Sequence, residues 1–373
     1  MRYRYSQKNG RAEKQAVIYS QDEHHIQFSD IDGSAFSVCS MLQKVGYETY
    51  IVGGAVRDLL LKRKPKDFDI ATEARPPEIK RVIRNSRLIG RRFKLVHVFF
   101  GQKIIEVSTF RSIKDGTIGN TFGKIEEDVM RRDFTMNALF YDPVKQLLLD
   151  YVGGVNDIRA KTVKPIIPAG VIFKEDPVRM IRAVKYCAMA GWTLPAALYS
   201  KIRSQAPLLE TVSPSRLTEE ITKIIKSSSA PEIIKSLEDL NLFKYLQPAA
   251  SALIKSDKAF AEKYFTSLAA PTEGKEKDGR VVSYLNGLIE DYLELATDWS
   301  LFTEKTAQDF YKETFKKIRA FIQPMNPPRA ELEGAIRAIF TKQGLTVKKL
   351  RLQSRFSMRR GSRLVKNENQ KDQ

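Results

Sequence analysis

Two aspartates separated by one residue follow a glycine pair, and this spacing is the part of the sequence best suited to chemistry. Residues 50–58 combine a short apolar run, Gly53 and Gly54, and the start of a helix; Asp67 and Asp69 come soon after. On a strand, side chains alternate between faces, so both carboxylates are predicted to project from the same face. Carboxylates held this close repel each other unless a cation lies between them.

A divalent cation would remove this repulsion, and Mg²⁺ is expected because it prefers oxygen ligands and is often shared with substrate phosphates. Gly53 and Gly54 allow backbone N–H groups to approach a triphosphate closely, and Arg57 follows on the same helix. The pattern therefore predicts a nucleotide-binding site in which Asp67 and Asp69 are the metal ligands, with both glycines and Arg57 around the triphosphate.

Glu106 is a third candidate carboxylate, because it stands inside an apolar strand on the face of Ile104 and Ser108. A lone charge is unfavourable there, so two interpretations are open. Glu106 is either an edge-strand side chain that faces water, or it completes an acidic cluster with Asp67 and Asp69. In the second case, two metal ions about 4 Å apart would activate a 3′-hydroxyl and stabilise a leaving pyrophosphate.

A second block, residues 126–140, places Arg131 and Arg132 directly before Asp133 at the start of an apolar stretch. Guanidinium groups pair with phosphate oxygens in a fork, so the two arginines predict phosphate contacts. For Asp133 two roles are open: a helix N-cap, or a member of the acidic site.

A third block, residues 174–185, begins a helix at Pro177, which makes Asp176 a candidate N-cap. Arg179 and Arg182 share one face of this helix at three-residue spacing. The alternative is that Asp176 supplies an acceptor and Arg179 a donor to the edge of a nucleobase. Such a pair reads hydrogen-bonding groups without a nucleic-acid template.

The composition favours a polyanionic partner. The chain has 373 residues and a formal net charge of +19, and its sequence pI is 9.7. Nucleic acid is the expected partner of so basic a protein, although charge that serves solubility alone is the alternative. Cys39 and Cys187 are too few for a disulfide framework, and no apolar run has the length of a membrane span. We therefore expect a cytoplasmic protein with no membrane contact; nothing in the sequence specifies an oligomeric state.

Other catalytic signatures are absent from the sequence. It contains no GxxxxGK[ST] loop, and no Cys or His spacing typical of zinc. Its three histidines are His24, His25 and His97, and His97 is expected to be structural because it lies within a strand pattern.

The order of hydrophobic patterns predicts a mixed α and β head followed by helices. Apolar runs on either side of Gly101 and Gln102 predict a β-hairpin, and from about residue 170 onward the helical period dominates. The patterns also predict a strand over residues 49–52 and helices over 35–45, 56–61, 178–190, 215–225, 231–241, 281–295 and 306–322. The predicted organisation is a flexible basic leader (1–33), a head (34–165), a helical neck with a nucleotide-recognition helix (166–230), a helical RNA-binding body (231–345) and a basic disordered tail (346–373).

Taken together, these blocks resemble the class II tRNA nucleotidyltransferase and bacterial poly(A) polymerase family over roughly residues 45–225. The matching segments are the glycine pair with Arg57 and Asp58, the DFD triplet, RRDFTMNAL, DYVGG with Asp157, EDPVRMIR and SPSRLTEE. The resemblance implies an α+β fold, a polymerase-β-like nucleotidyltransferase head followed by an all-α neck and body. It implies Mg²⁺ on Asp67 and Asp69, with the incoming nucleotide surrounded by Arg132, Asp176, Arg179 and Arg182.

Lys185 departs from this family pattern, because CCA-adding relatives commonly carry arginine there. Three segments resemble the poly(A) polymerase branch, whereas residues 161–168 depart from both branches; the three are 89–98, 175–178 and 323–328. The resemblance thus implies an enzyme that adds AMP from ATP to RNA 3′ ends, on mRNA or tRNA, and releases pyrophosphate. A CCA-adding enzyme that uses CTP and ATP on tRNA is the alternative, and a non-catalytic RNA-binding protein is a third.

Overall fold

The computed structural model describes residues 2–8, 11–90, 95–112, 121–269 and 282–345. Within these ranges the chain forms a nine-stranded sheet followed by a long series of helices. The strands are β1 (Arg2–Lys8), β2 (Arg11–Tyr19), β3 (Thr49–Val52), β4 (Asp69–Thr72), β5 (Ser86–Ile89), β6 (Leu95–Phe100), β7 (Lys103–Thr109), β8 (Leu139–Asp142) and β9 (Leu147–Asp150).

The first six helices lie among or directly after the strands. They are α1 (Gln21–His24), α2 (Gly33–Lys44), α3 (Gly54–Leu60), α4 (Pro76–Val82), α5 (Ile125–Arg131) and α6 (Gly154–Arg159). The remaining described helices follow without further strands. They are α7 (Ala169–Glu175), α8 (Val178–Ala190), α9 (Ala196–Gln205), α10 (Pro214–Ile225), α11 (Ala230–Asp239), α12 (Phe243–Leu246), α13 (Pro248–Ser256), α14 (Lys258–Ala269), α15 (Val282–Ala296), α16 (Ala307–Phe321) and α17 (Arg329–Lys342).

The strands lie in the order β1-β2-β9-β8-β3-β4-β7-β6-β5. Neighbouring strands are antiparallel except β4 and β7, which are parallel and place Asp69 beside Glu106. Both faces of the central strands are buried, because alternate side chains enter different cores. Ile51 and Ile70 pack into the large core that continues into the helices, whereas Tyr50 joins a smaller cluster with residues of α5.

The helical part forms because apolar residues recur on one side of each helix. In α10, Leu217, Ile221 and Ile224 are buried at helical spacing, and they belong to the same hydrophobic core as α8 and the sheet. This continuous core fixes α8 and α10 against the sheet. None of the described helices has the length and apolar character needed to cross a membrane.

Most of the predicted elements are confirmed. The strand over Thr49–Val52 and the helix over Val178–Ala190 have the predicted bounds, and the hairpin around Gly101 forms between β6 and β7. The helices predicted over 35–45, 56–61, 215–225, 231–241, 281–295 and 306–322 are present, with ends that differ by one or two residues. The predicted disordered tail (346–373) and residues 91–94 of the segment 89–98 lie outside the described residues.

The predicted flexible leader (1–33) is wrong for its described residues. β1 and β2 form an antiparallel hairpin, and β2 extends the sheet by pairing with β9. Ala16, Tyr19 and Ile26 are buried, so the end of this segment packs into the core. At the end of β2, Val17 and Tyr19 pack against the large core and Ile18 packs against the smaller cluster, so both sides of this part of the strand are covered.

Candidate functional site

A cleft of about 670 Å³ lies where the central strands β3, β4 and β7 meet α8 and α10. Carboxylates, guanidinium groups and backbone from the sheet and the neighbouring helices line it together. Nine of the eleven predicted site residues line this cleft: Gly53, Gly54, Arg57, Asp69, Glu106, Arg132, Asp133, Arg179 and Arg182. The two that do not are Asp67 and Asp176.

Asp69 and Glu106 form the acidic part of the cleft, because they occupy paired positions on the parallel strands β4 and β7. The side chain of Asp69 lines the cleft, and protein groups around it displace part of its water. This partial desolvation raises the pKa of Asp69 to about 6; the carboxylates of Glu106 and Asp67 add to the shift, and Arg132 opposes it. A carboxylate whose charge is disfavoured by its neighbours in this way suits a divalent cation, so Asp69 fits a magnesium ligand, with Glu106 on the paired strand and Asp67 close enough to add its charge.

The predicted strand placement of Asp67 is wrong. β4 begins at Asp69, so Asp67 lies in the preceding loop and lines a neighbouring groove with Lys64 and Lys103. Asp67 nevertheless lies close enough to Asp69 for its charge to contribute to the raised pKa.

The predicted completion of a three-carboxylate cluster by Glu106 is also not observed. Among the described residues, no group of three or more His, Cys, Asp and Glu side chains is arranged to hold a metal ion. Glu106 is 53% exposed, and its Oε1 lies 3.5 Å from Nε2 of His97 on the paired strand β6. Glu106 therefore faces solvent, as the first interpretation predicted, and it also lies at the rim of the cleft.

The glycine pair shapes the floor of the cleft. Gly53 has φ +69°, a backbone conformation that favours glycine, and it immediately precedes α3. A Cβ added at Gly53 would lie 3.6 Å from Nη1 of Arg132, and one at Gly54 would lie 3.6 Å from Nη2 of Arg57. The two glycines therefore leave the backbone and both guanidinium groups accessible at one place.

Arg57 and Arg132 are held in fixed positions by nearby acceptors. Arg57 donates to Asp58 at 2.7 and 2.9 Å and to Oδ1 of Asn137 at 2.9 Å. Arg132 donates to Asp128 at 3.0 Å and to the carbonyl oxygen of Asn137 at 3.2 Å. Because Asn137 contacts both, it links the two guanidinium groups at the cleft floor.

Asp133 is a buried counterion. It is 4% exposed, accepts from the backbone N–H of Phe134 at 2.7 Å and from Asn137 at 3.0 Å, and lies 3.0 Å from Nη2 of Arg182. Burial alone would raise the pKa of Asp133, but Arg182 and the hydrogen bonds outweigh it and hold the pKa below its usual value. The N-cap interpretation is wrong, because Phe134 is the cap of the short turn that follows.

The DYVGG segment anchors the chain behind this cluster. One carboxylate oxygen of Asp150 accepts from the backbone N–H groups of Val152, Gly153 and Gly154 at 2.8–3.1 Å. A Cβ at Gly154 would collide with the backbone of Thr135. These residues therefore fix the backbone that carries Asp133 and Asn137.

Asp176 does not enter the cleft. It is the residue after α7, and Pro177 occupies the N-cap of α8, so the N-cap interpretation of Asp176 is wrong. Both of its carboxylate oxygens accept from Nη2 of Arg216 at 2.9 Å. The Asp176 carboxylate, which was predicted to accept from a nucleobase, therefore accepts from an arginine of α10 instead.

Arg179, the predicted donor of that pair, is buried and lines the cleft. Its Nη2 donates to the carbonyl oxygen of Arg131 at 2.8 Å, and its Nε lies 3.9 Å from Asp176. Its Nη1 has no hydrogen-bond partner within the described part of the chain. Because a buried donor without a partner is costly, Nη1 is suited to receive an acceptor from a ligand.

The ion pair between Lys185 and Glu220 was not predicted from residue chemistry. Nζ of Lys185 lies 3.1 Å from Oε2 of Glu220, and both residues are buried at the cleft wall. A signal was present in the sequence, since Glu220 interrupts the apolar side of α10 between Leu217 and Ile221. A charge at such a position requires a partner.

Comparisons with known proteins agree with this arrangement. The family model described as the poly(A) polymerase head domain matches residues 49–164, and the one described as a probable RNA- and SrmB-binding site of polymerase A matches residues 191–254. Poly(A) polymerase I of Escherichia coli is 40% identical over 253 residues, which are 64% of this chain and 54% of that protein.

CCA-adding enzymes match as well. That of Geobacillus kaustophilus is 36% identical over 242 residues, which are 62% of this chain and 59% of that protein. The crystal structure of the Bacillus stearothermophilus CCA-adding enzyme in complex with CTP superimposes with a TM-score of 0.56 and 26% identity, covering 83% of this chain and 82% of that one. The chain spans a little over half the length of the curated relatives that it matches.

Proposed function

Because the chain belongs to the class II tRNA nucleotidyltransferase and poly(A) polymerase family, we propose that it transfers AMP from ATP to RNA 3′ ends and releases pyrophosphate. The observation that carries the proposal is the cleft itself. Asp69 and Glu106 stand on its sheet side, and Arg57, Arg132 and Arg182 surround the same space. This is the charge distribution that phosphoryl transfer from a nucleoside triphosphate requires.

In the proposed reaction the 3′-oxygen of RNA bonds to the α-phosphorus of ATP, the bond to pyrophosphate breaks, and the hydroxyl proton is lost. Arg57 and Arg132 hold the triphosphate beside Gly53, and their fixed positions stabilise the charge that develops on the phosphate oxygens. Asp69 and Asp67, with Glu106 at the rim, would hold Mg²⁺, which supplies Lewis-acid activation of the phosphate when bound.

Base recognition would begin at Arg179. Its unpaired Nη1 can donate to a ring nitrogen of adenine, and Asp176 can accept from the exocyclic amino group once Arg216 releases it. Cytosine presents the same donor and acceptor order, so this pair alone does not separate ATP from CTP. The preference for ATP rests on the higher identity with poly(A) polymerase I and on the segments that resemble that branch.

Replacing Arg179 by alanine is expected to weaken ATP binding by roughly tenfold to a hundredfold, because one charged hydrogen bond to the base is lost. Isothermal titration with ATP measures the change. Arg203→Ala is the matched control, since Arg203 is exposed on α9. A folded Arg179→Ala protein that binds ATP as tightly as the control would show that Arg179 does not contact the nucleotide.

A paired extension assay tests the proposed function. One reaction contains Mg²⁺, ATP and an unstructured RNA primer, and the other contains Mg²⁺, CTP, ATP and a tRNA that lacks its CCA end. We expect long adenylate tails on the primer, with pyrophosphate released for each nucleotide added. Products that stop after C, C and A on the tRNA would support the CCA-adding alternative, and no incorporation in either reaction would support a non-catalytic RNA-binding protein.

A further inference from the structure

The N-terminal hairpin formed by β1 and β2 is a ribbon that extends beyond its neighbour in the sheet. β2 pairs with β9 only through Val17, Ile18 and Tyr19, whereas its pairing with β1 continues to Arg11. In the described sheet, the outer part of the hairpin is therefore two-stranded. Such a ribbon is only marginally stable by itself, so a ligand that binds it would add to its order.

This hairpin presents two tyrosine rings side by side. Tyr3 and Tyr5 are 37% and 58% exposed, and their ring centroids lie 6.3 Å apart at an interplanar angle of 68°. The pairing register shifts between Arg4 and Tyr5, yet both rings remain close together. Two exposed aromatic rings that lie together form an apolar surface of the kind that contacts a partner.

The hairpin is also strongly basic. Residues 2–14 contain five Lys and Arg residues and one Glu. Arg4 is partly covered and pairs with Glu48 at 3.0 Å, whereas Arg2 is exposed. Basic residues on an edge strand can simply prevent sheets from joining, but exposed tyrosines work against that purpose. Aromatic rings combined with positive charge are the usual binding surface for single-stranded nucleic acid.

We propose that this hairpin surface, defined by Tyr3 and Tyr5, binds single-stranded RNA upstream of the 3′ end. Unpaired bases stack on the two tyrosine rings, and the positive charge of the hairpin attracts the phosphate backbone. The inference rests on the proposed function in one respect, namely that RNA is the acceptor. It adds a sequence-tolerant contact outside the cleft, which would hold a primer while its 3′ end is extended.

Equilibrium binding to fluorescently labelled RNA without Mg²⁺ tests the inference apart from catalysis. The ligands are oligo(A) and an abasic ribose-phosphate chain of the same length. The wild-type chain should prefer oligo(A), and the Tyr3→Ala/Tyr5→Ala variant should bind oligo(A) roughly tenfold more weakly with little change for the abasic chain. Tyr3→Phe/Tyr5→Phe should retain the preference, because phenylalanine still stacks.

Two controls separate the possible failures. Tyr199→Ala removes a comparably exposed tyrosine from α9 and should leave both affinities unchanged. Thermal unfolding of the alanine variant shows whether the hairpin change has altered the rest of the fold. Wild-type protein that extends RNA while the alanine variant keeps full preference for oligo(A) would overturn the hairpin inference alone. Wild-type protein that neither binds nor extends RNA would overturn the proposed function.

Discussion

Replacing Asp69 by asparagine should reduce RNA extension by roughly a thousandfold or more, because a metal-dependent transfer loses its central oxygen ligand. The fold should persist. Asp69 lies in the cleft beside Glu106 with Asp67 nearby, so removing its charge relieves repulsion in the metal-free protein. The variant should therefore unfold at the same temperature as wild type or slightly higher when Mg²⁺ is absent.

Magnesium should also distinguish the two proteins without any measurement of activity. A ligand that binds only the native state raises the unfolding temperature, so Mg²⁺ should stabilise wild type more than Asp69→Asn. Asp30→Asn is a suitable control, since Asp30 is an exposed carboxylate in the neighbouring groove. Asp67→Ala is expected to abolish RNA extension, as Asp69→Asn is.

If either variant extends RNA at the wild-type rate, the assignment of Asp67 and Asp69 as metal ligands is wrong.

Asp133→Asn should destabilise the protein by roughly 2–4 kcal/mol, because it leaves buried guanidinium charge without its counterion. Arg182 is partly exposed, which places the expected loss below that of a fully buried pair. Urea denaturation measures the free energy of unfolding. ATP affinity should fall as well, since Arg182 loses the carboxylate that positions it in the cleft.

A double variant tests whether this loss arises from the ion pair. Asp133→Asn combined with Arg182→Gln should recover part of the stability, because the second change removes the unpaired charge. Asp309→Asn, which breaks an exposed pair with Lys312, should cause no measurable change. Equal stability of wild type and Asp133→Asn would show that the buried ion pair does not hold the cleft together.

As the pH falls, wild type should lose more of its free energy of unfolding than Asp133→Asn loses. The pKa of Asp133 is lowered in the folded state, so its stabilisation is complete above the unfolded value, roughly 3.9 for aspartate. The stabilisation is lost as the pH falls through the lower folded-state pKa. Chemical denaturation of both proteins between pH 5 and pH 3 (about one unit on either side of the unfolded value) measures the difference.

Local patterns were sufficient to predict several of the elements that line the cleft. The strand over Thr49–Val52 is apolar and is followed by two glycines, so its end and the start of α3 are specified by neighbouring residues. α8 was predicted with its observed bounds, because a proline precedes it and a glycine follows it. The clustering of nine predicted site residues in one cleft follows from these elements and from the family resemblance.

Three other features depend on contact between residues far apart in sequence, which local patterns do not reveal. Asp176 is occupied by Arg216, 40 positions away, and no local pattern announces this pair. Lys185 similarly meets Glu220, which is 35 positions away. The hairpin of β1 and β2 was assigned to a flexible leader because its stability depends partly on pairing with β9, near residue 150.

The most direct test of adenylate transfer offers the wild-type chain all four nucleoside triphosphates together with Mg²⁺ and an unstructured RNA primer. Sequencing of the extended 3′ ends then reports which nucleotide the cleft selects. We expect tails composed almost entirely of adenylate, and we expect these tails to be lost when Mg²⁺ is chelated. Tails of mixed sequence, or additions that end after C, C and A, would contradict this expectation.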